Sequence, residues 1–263
     1  MKKAFVSGFV ILCAAGLAAG GPTSGLVAYY PFSGNANDES GTGNNGSPVG
    51  GVTWTTGVVG GAAHLDGTGY ISVPDSASLD LAGAGGITIS AFIRVSPSSD
   101  QFGIVVKESS SSFPWTIAYE FAVRDPPTGL TTMLVSDGTN DSVGHFSDAA
   151  LADSMWHHIA AAWASGGDVS MYLDGVLKFQ GNEQVPVNTV NNTSDPVLIG
   201  AFRWNTWGQY RSMTGDIDEV RIYNRALSAD EIREIPVIPA PGAVVLAGIG
   251  AGVVRLLRRR RIL

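Results

Sequence analysis

From residue 25 to residue 223 the chain is a succession of short apolar runs alternating with period two, separated by Gly, Asn, Asp and Ser. That period places successive side chains on opposite faces of a strand, and the separators are turn formers. Residues 87–95 are the clearest case, with Ile87, Ile89, Ala91, Ile93 and Val95 on one face. In residues 25–32 the alternation sets Leu26, Ala28 and Tyr30 against Val27 and Tyr29. Residues 62–73 read as two strands around Asp66 and Gly67. Residues 103–107, 119–123, 130–136, 156–163, 168–173, 176–179, 196–201 and 213–223 read as further strands. Asp174-Gly175 is a two-residue hairpin signal. Residues 33–51 are dense in Asn, Gly, Asp and Ser and read as one long irregular loop. One short helix is expected, opened by Ser228 with Glu231 three residues on, a capping-box pattern, and ended by Pro236. Many short strands and almost no helix predict an all-β fold of two packed antiparallel sheets. No repeat of 20–50 residues is present, which argues against a propeller or solenoid.

The two ends have a different composition. Lys2 and Lys3 precede an apolar run to Ala19, and small residues follow, so residues 1–21 read as a secretory signal peptide. The single cysteine, Cys13, lies in that run behind Leu12, where lipidation would need a small residue, and the rest of the chain has no thiol for a disulfide. At the other end Pro239, Ala240 and Pro241 precede an apolar stretch, then Arg255 and the cluster Arg258, Arg259, Arg260 and Arg261. The stretch from Gly242 to Leu257 is slightly short for a bilayer. The arginines would stay on the cytoplasmic side, placing the middle of the chain outside. Residues 236–263 resemble a PEP-CTERM sorting segment, with Pro-Ala-Pro in place of Pro-Glu-Pro. The resemblance implies a sorting protease of exosortase type and the envelope or extracellular matrix of a Gram-negative-type bacterium. It leaves open whether the tail is cleaved or stays as a membrane anchor.

All 23 acidic residues lie between Asp38 and Glu234, against nine basic residues there. So acidic a module repels phosphate backbones, which argues against nucleic acid as a partner.

Six segments in order carry a resemblance: residues 29–41, 64–67 (His-Leu-Asp-Gly), 87–93, 156–160 (Trp-His-His-Ile-Ala), 172–175 (Tyr-Leu-Asp-Gly) and 215–228. Together they resemble the laminin G-like, concanavalin A-like family across residues 22–235. The resemblance implies a jelly-roll sandwich of two curved sheets, usually non-catalytic, that often binds sugars, proteins or calcium.

Calcium takes six to eight hard oxygens, and the 35–41 loop is rich in them. Placing that loop against residues 216–218, as the family resemblance implies, gives a structural calcium held by Asp38 and Asp218, with carbonyls from Gly34 or Ser40. The alternative is that Asp38 makes a turn hydrogen bond and Asp218 pairs with Arg221 or Arg225. Asp216-Ile-Asp218-Glu219 imitates a glycosidase strand only superficially, since alternation turns Glu219 away from Asp216 and Asp218. His157 and His158 are adjacent, so they face opposite sides of a strand and cannot share a metal from within it. For ligand binding the aromatic stretch 202–210 is the candidate. Trp204, Trp207 and Tyr210 could stack on sugar faces while Arg203 and Asn205 bind hydroxyls; Phe113-Pro114-Trp115 is a second such patch. The alternative is aromatic filling between sheet and loop.

The sequence reading is therefore an exported, non-catalytic binding or adhesion module for a glycan or a surface protein. A ligand-free matrix component and a glycoside hydrolase of the same fold are the competing readings.

Overall fold

A computed structural model describes residues 21–109, 116–203 and 209–235. Residues 1–20 of the expected signal peptide, Phe113, Pro114, Trp115, Trp204, Asn205, Trp207 and the whole expected sorting segment (Pro239, Ala240, Pro241 and Arg258 to Arg261 included) lie outside the described residues. Among the described residues no helix is long and apolar enough to cross a membrane.

The strands in chain order are β1 (Leu26–Tyr30), β2 (Ser47–Val49), β3 (Val52–Thr56), β4 (Gly61–Asp66), β5 (Tyr70–Val73), β6 (Gly86–Val95), β7 (Phe102–Glu108), β8 (Ile117–Asp125), β9 (Leu130–Ser136), β10 (Asp141–Phe146), β11 (Trp156–Ala164), β12 (Val169–Leu173), β13 (Val176–Gly181), β14 (Val197–Ile199), β15 (Ala201–Arg203), β16 (Tyr210–Ser212) and β17 (Thr214–Tyr223). Two short helices, α1 (Ala77–Asp80) and α2 (Ala229–Glu234), complete the set with two 3-10 turns. One sheet runs β13-β12-β11-β6-β17-β4-β3, with β1 also pairing β17; the other runs β10-β9-β8-β7-β14-β5-β2; β15 and β16 form a separate hairpin. All pairings are antiparallel, and the two sheets form an all-β jelly-roll sandwich.

The core lies between the sheets and follows the alternation. Ile87, Ile89, Ala91, Ile93 and Val95 of β6 meet Tyr119, Phe121 and Val123 of β8 and Met133 and Val135 of β9 in one buried cluster. A second apolar cluster sits on the outward face of the first sheet, where α2 covers it: Ala160, Ala162, Tyr172, Tyr223, Leu227, Ile232 and Ile235. Residue Ser228 makes the expected capping box with Glu231, which fixes the start of α2 and so the depth of Ile232.

Several local features depart from simple alternation. A bulge between Leu26 and Ala28 puts Val27, Ala28 and Tyr30 in the core cluster while Leu26 packs against the second cluster. The strands flanking Asp66-Gly67 do not pair with each other, because β4 joins the first sheet and β5 the second. A second bulge interrupts β17 between Asp218 and Arg221, with Glu219 at φ 54°. An extra residue in one strand shifts the faces beyond it. The Glu219 carboxylate consequently lands beside Arg221 and Tyr29 rather than on the opposite face. The 33–51 stretch also contains a short strand, β2.

Candidate functional site

At one end of the sandwich, the hairpin of β15 and β16 borders an open cleft of about 560 Å³. It is lined by Gly67, Thr68, Asp100, Gln209, Tyr210, Arg211, Ser212 and Thr214. Each element has a local reason for its position. Asp66 accepts the backbone N–H (2.9 Å) and hydroxyl (2.7 Å) of Thr68, and these bonds fix the β4–β5 turn. Ser99 donates its hydroxyl to the Thr214 carbonyl at 2.9 Å, pinning the β6–β7 loop to the start of β17. Arg211 forms an ion pair with Asp100 across the cleft.

Tyr210 has two ring contacts. Its ring lies 4.7 Å from the Tyr70 ring at an interplanar angle of 32°, and the Arg203 guanidinium lies 5.9 Å from its centroid. Burial, together with Tyr210, pushes the Tyr70 phenol up to about 12, so it stays a neutral hydroxyl. Arg203 is anchored in turn: its backbone N–H donates to Glu108 Oε1 (2.5 Å), and Nη1 reaches Asp195 Oδ1 (3.2 Å) and the Glu108 carbonyl (3.4 Å). Burial works against the Arg203 charge, but hydrogen bonds to Tyr210 and Asp195 raise its pKa on balance.

Under this hairpin sit two buried carboxylates that the sequence reading did not single out. Burial pushes Glu108 up to about 7, and neighbouring Glu120 adds to the shift. Glu120 is raised by its own burial against the pull of Arg124, with which it is ion-paired. The same Arg124 guanidinium lies 4.7 Å over the Phe202 ring. Both carboxylates are at most 3 % exposed; Glu108 holds the hairpin directly through the Arg203 N–H, and Glu120 holds Arg124 against Phe202.

Of the sequence-predicted ligand residues, the described ones, Arg203 and Tyr210, are paired directly across β15 and β16. The cleft partners Asp100 and Thr68 were not foreseen; they lie in ordinary polar turns with no distinguishing pattern.

The residues expected to hold calcium have other partners. Asp38 Oδ1 accepts the backbone N–H groups of Tyr29 and Ser40, both at 2.9 Å, while Oδ2 accepts the Thr42 hydroxyl (2.8 Å) and the Asn44 N–H (2.9 Å). Burial pushes its pKa up, but these bonds outweigh it and hold the carboxyl below its ordinary value. Asp218 Oδ2 accepts Val58 N–H (2.8 Å) and Val59 N–H (3.2 Å), and its Oδ1 accepts Glu219 N–H (2.7 Å). Gly34 donates its N–H to the Phe32 carbonyl at 2.8 Å, a tight turn. Among the described residues no three His, Cys, Asp or Glu gather as a metal site. Four donors thus face the Asp38 carboxylate and three the Asp218 carboxylate, so both side chains are engaged by the chain's own N–H and O–H groups. Nor does Asp218 pair with an arginine; Glu219 does, at 2.6 Å to Arg221.

Asp216 faces outward between Arg94 (2.7 Å) and His64 (2.8 Å). All three acids of the 216–219 run are thus taken up by structural partners. His157 bridges Asp174 (2.8 Å) and Asp153 (3.1 Å), whereas His158 is buried.

The solved structures similar to this chain include domain 4 of AbnA, an extracellular arabinanase from Geobacillus stearothermophilus, in complex with arabinotriose. That likeness has a TM-score of 0.58 and 20% identity, and covers 80% of this chain and 97% of that one. The binding domain of Paraclostridial Mosquitocidal Protein 1 matches with TM-score 0.61 and 17% identity, over 80% of this chain and 51% of that one. Botulinum neurotoxin type C, described with two ganglioside molecules in cell entry, matches with TM-score 0.60 and 13% identity, over 80% and 50%. This chain therefore spans about half the length of those two toxin chains. No curated protein matches the sequence. A family model, described as Concanavalin A-like lectin/glucanases superfamily, matches residues 65–233. The chain belongs to the concanavalin A-like lectin/glucanases superfamily, in its laminin G-like branch.

Proposed function

We propose that the protein is an exported, non-catalytic binding module that recognises a glycan through the cleft beside the β15–β16 hairpin. The carrying observation is Tyr210, an aromatic ring at the edge of a polar cleft that is steadied by contacts with Tyr70 and Arg203. A ring fixed in this way loses little freedom when a sugar face stacks on it, and Arg211, Asp100 and Thr68 supply hydroxyl partners. Similar domains described with arabinotriose and with gangliosides support a saccharide ligand. A non-catalytic role is favoured by the fate of the acids: Asp216, Asp218 and Glu219 each have structural partners. Residues 1–21 and 236–263 favour export and retention at the envelope or matrix, with an exosortase-type protease acting on the tail.

The test is a glycan array probed with the purified protein, with surface-protein pull-downs in parallel. The reading expects at least one oligosaccharide class to bind and Tyr210→Ala to lose it. An empty array with empty pull-downs would leave a purely structural matrix role. Binding confined to the pull-downs would move recognition to a protein partner.

A further inference from the structure

The outward face of the first sheet carries a second recess, separate from the Tyr210 cleft. Strand register sets Trp156, Arg94 and Asp216 in one cross-strand row and His158, Phe92 and Asp218 in the next. Helix α2 lies over this face through Ile232. Between them is a cleft of about 230 Å³, bounded by Phe92, Trp156 and His158 on the sheet, Asp174 at the β12–β13 turn, and Ile232 and Arg233 on the helix.

The lining has an apolar side and a polar end. The Arg94 guanidinium lies 5.0 Å from the Trp156 ring centroid, which steadies the indole. Phe92 and His158 are in ring contact at 4.9 Å. The polar end is incomplete: His158 Nε2 is buried and has no hydrogen-bond partner. Such an atom is uncommon in a folded protein, where a buried polar group is normally hydrogen-bonded to protein or water. Burial, reinforced by Arg221, pushes the His158 pKa down to about 4, so the imidazole is neutral near pH 7. Asp174 Oδ1 accepts the His158 N–H at 2.9 Å and Oδ2 lies 2.8 Å from His157 Nδ1. Each oxygen has a further lone pair for a hydroxyl.

These features select an occupant. The apolar walls and neutral imidazole make a buried ligand charge costly. The cleft is smaller than the roughly 300 Å³ at which drug-sized sites begin, so it takes one ring rather than a chain. The polar end asks that ring to carry hydroxyls. We propose that this cleft binds a single neutral, hydroxyl-bearing six-membered ring, a terminal hexose, stacked on Trp156 with a hydroxyl directed to His158 and Asp174. Two sugar sites on one module would let it bridge two glycan chains, and avidity would exceed either affinity.

The test follows the histidine imidazoles by ¹⁵N NMR while the purified protein is titrated with methyl glucoside, methyl galactoside and methyl mannoside, with phenol as an uncharged aromatic ring. One hexoside should move the His158 signal at millimolar to tens-of-millimolar concentration and leave His145 in place. Trp156→Ala should weaken that response by about tenfold or more. Arg233→Trp, which crowds the exposed rim without touching the core, should block it, whereas Tyr210→Ala should not. Melting curves check that each variant is folded. No response from any hexoside, a response to phenol alone, or a hexoside response unchanged in folded Trp156→Ala or Arg233→Trp, would each overturn the proposal.

Discussion

The carboxylate of Asp218 accepts the backbone N–H of Val58, 160 residues earlier in the chain, at 2.8 Å. The contact ties the central strand β17 to the β3–β4 turn, and it depends on a glycine nearby. A Cβ on Gly57 would come within 2.4 Å of Asp218 Oδ2 and 2.2 Å of the Gly61 carbonyl. Val59 and Glu219 N–H groups complete the cage. Replacing Asp218 with Ala strands these donors at a largely buried place, Val58 and Val59 being half-buried. It should cost about 1–3 kcal/mol or more of stability in urea unfolding.

The same residue gives a pH signature. Burial pushes the Asp218 carboxyl from 3.8 up to about 7, with Glu219 adding to the rise and three N–H bonds opposing it. Between these values the folded state holds a proton that the unfolded state has released, so stability falls as pH rises through that window. Glu108, raised from 4.5 to about 7, acts in the same direction. His158 acts in the opposite direction: its pKa is lowered from 6.5 to about 4, so its contribution falls as pH drops through that range. Subtracting the Asp218→Asn melting curve from wild type isolates the first group. The difference should shrink as pH rises from about 4 to 7; a difference that grows with pH would contradict the assignment.

Asp38 organises its loop through hydrogen bonds. Four donors converge on its two oxygens, and hydrogen bonds to a charged acceptor are worth about 1.5–3 kcal/mol each in favourable burial. The residue is only half-buried, so Asp38→Ala should cost about 2 kcal/mol in total. Melting in calcium and in chelator should give the same midpoint. A calcium-dependent rise that disappears in Asp38→Ala would instead place a cation there.

The helix over the outward face depends on its start. Ser228 accepts the Glu231 N–H, and Glu231 Oε2 accepts the Ser228 N–H at 2.9 Å. Ser228→Ala should cost about 1 kcal/mol. Hydrogen exchange should quicken around Ile232 with the rest of the sandwich unchanged.

Much of the fold is legible wherever one rule acts alone. The 87–95 strand declares its inward face because nothing interrupts its alternation, and Asp174 (φ 51°) and Gly175 (φ 75°) form the turn their residue types favour. The helix cap is equally local. Legibility fails where an inserted residue or a distant partner decides. The bulge at Glu219 cannot be read from period two, and it turns an apparent opposite-face acid into the partner of Arg221. Asp38 and Ser40 look like calcium ligands because the residue types that bind cations also bind backbone N–H groups; only the direction of those N–H groups separates the two. Arg203 and Tyr210 were visible as part of an aromatic stretch, but Glu108 and Glu120 beneath them were hidden inside ordinary strand patterns.

The most direct test of the account is calorimetric titration of the purified protein with the best oligosaccharide from the array, in wild type and in Tyr210→Ala. The account predicts saturable binding by the wild type, and a loss of about tenfold or more in a variant whose melting curve shows it still folded. Equal affinity in the two proteins would contradict it.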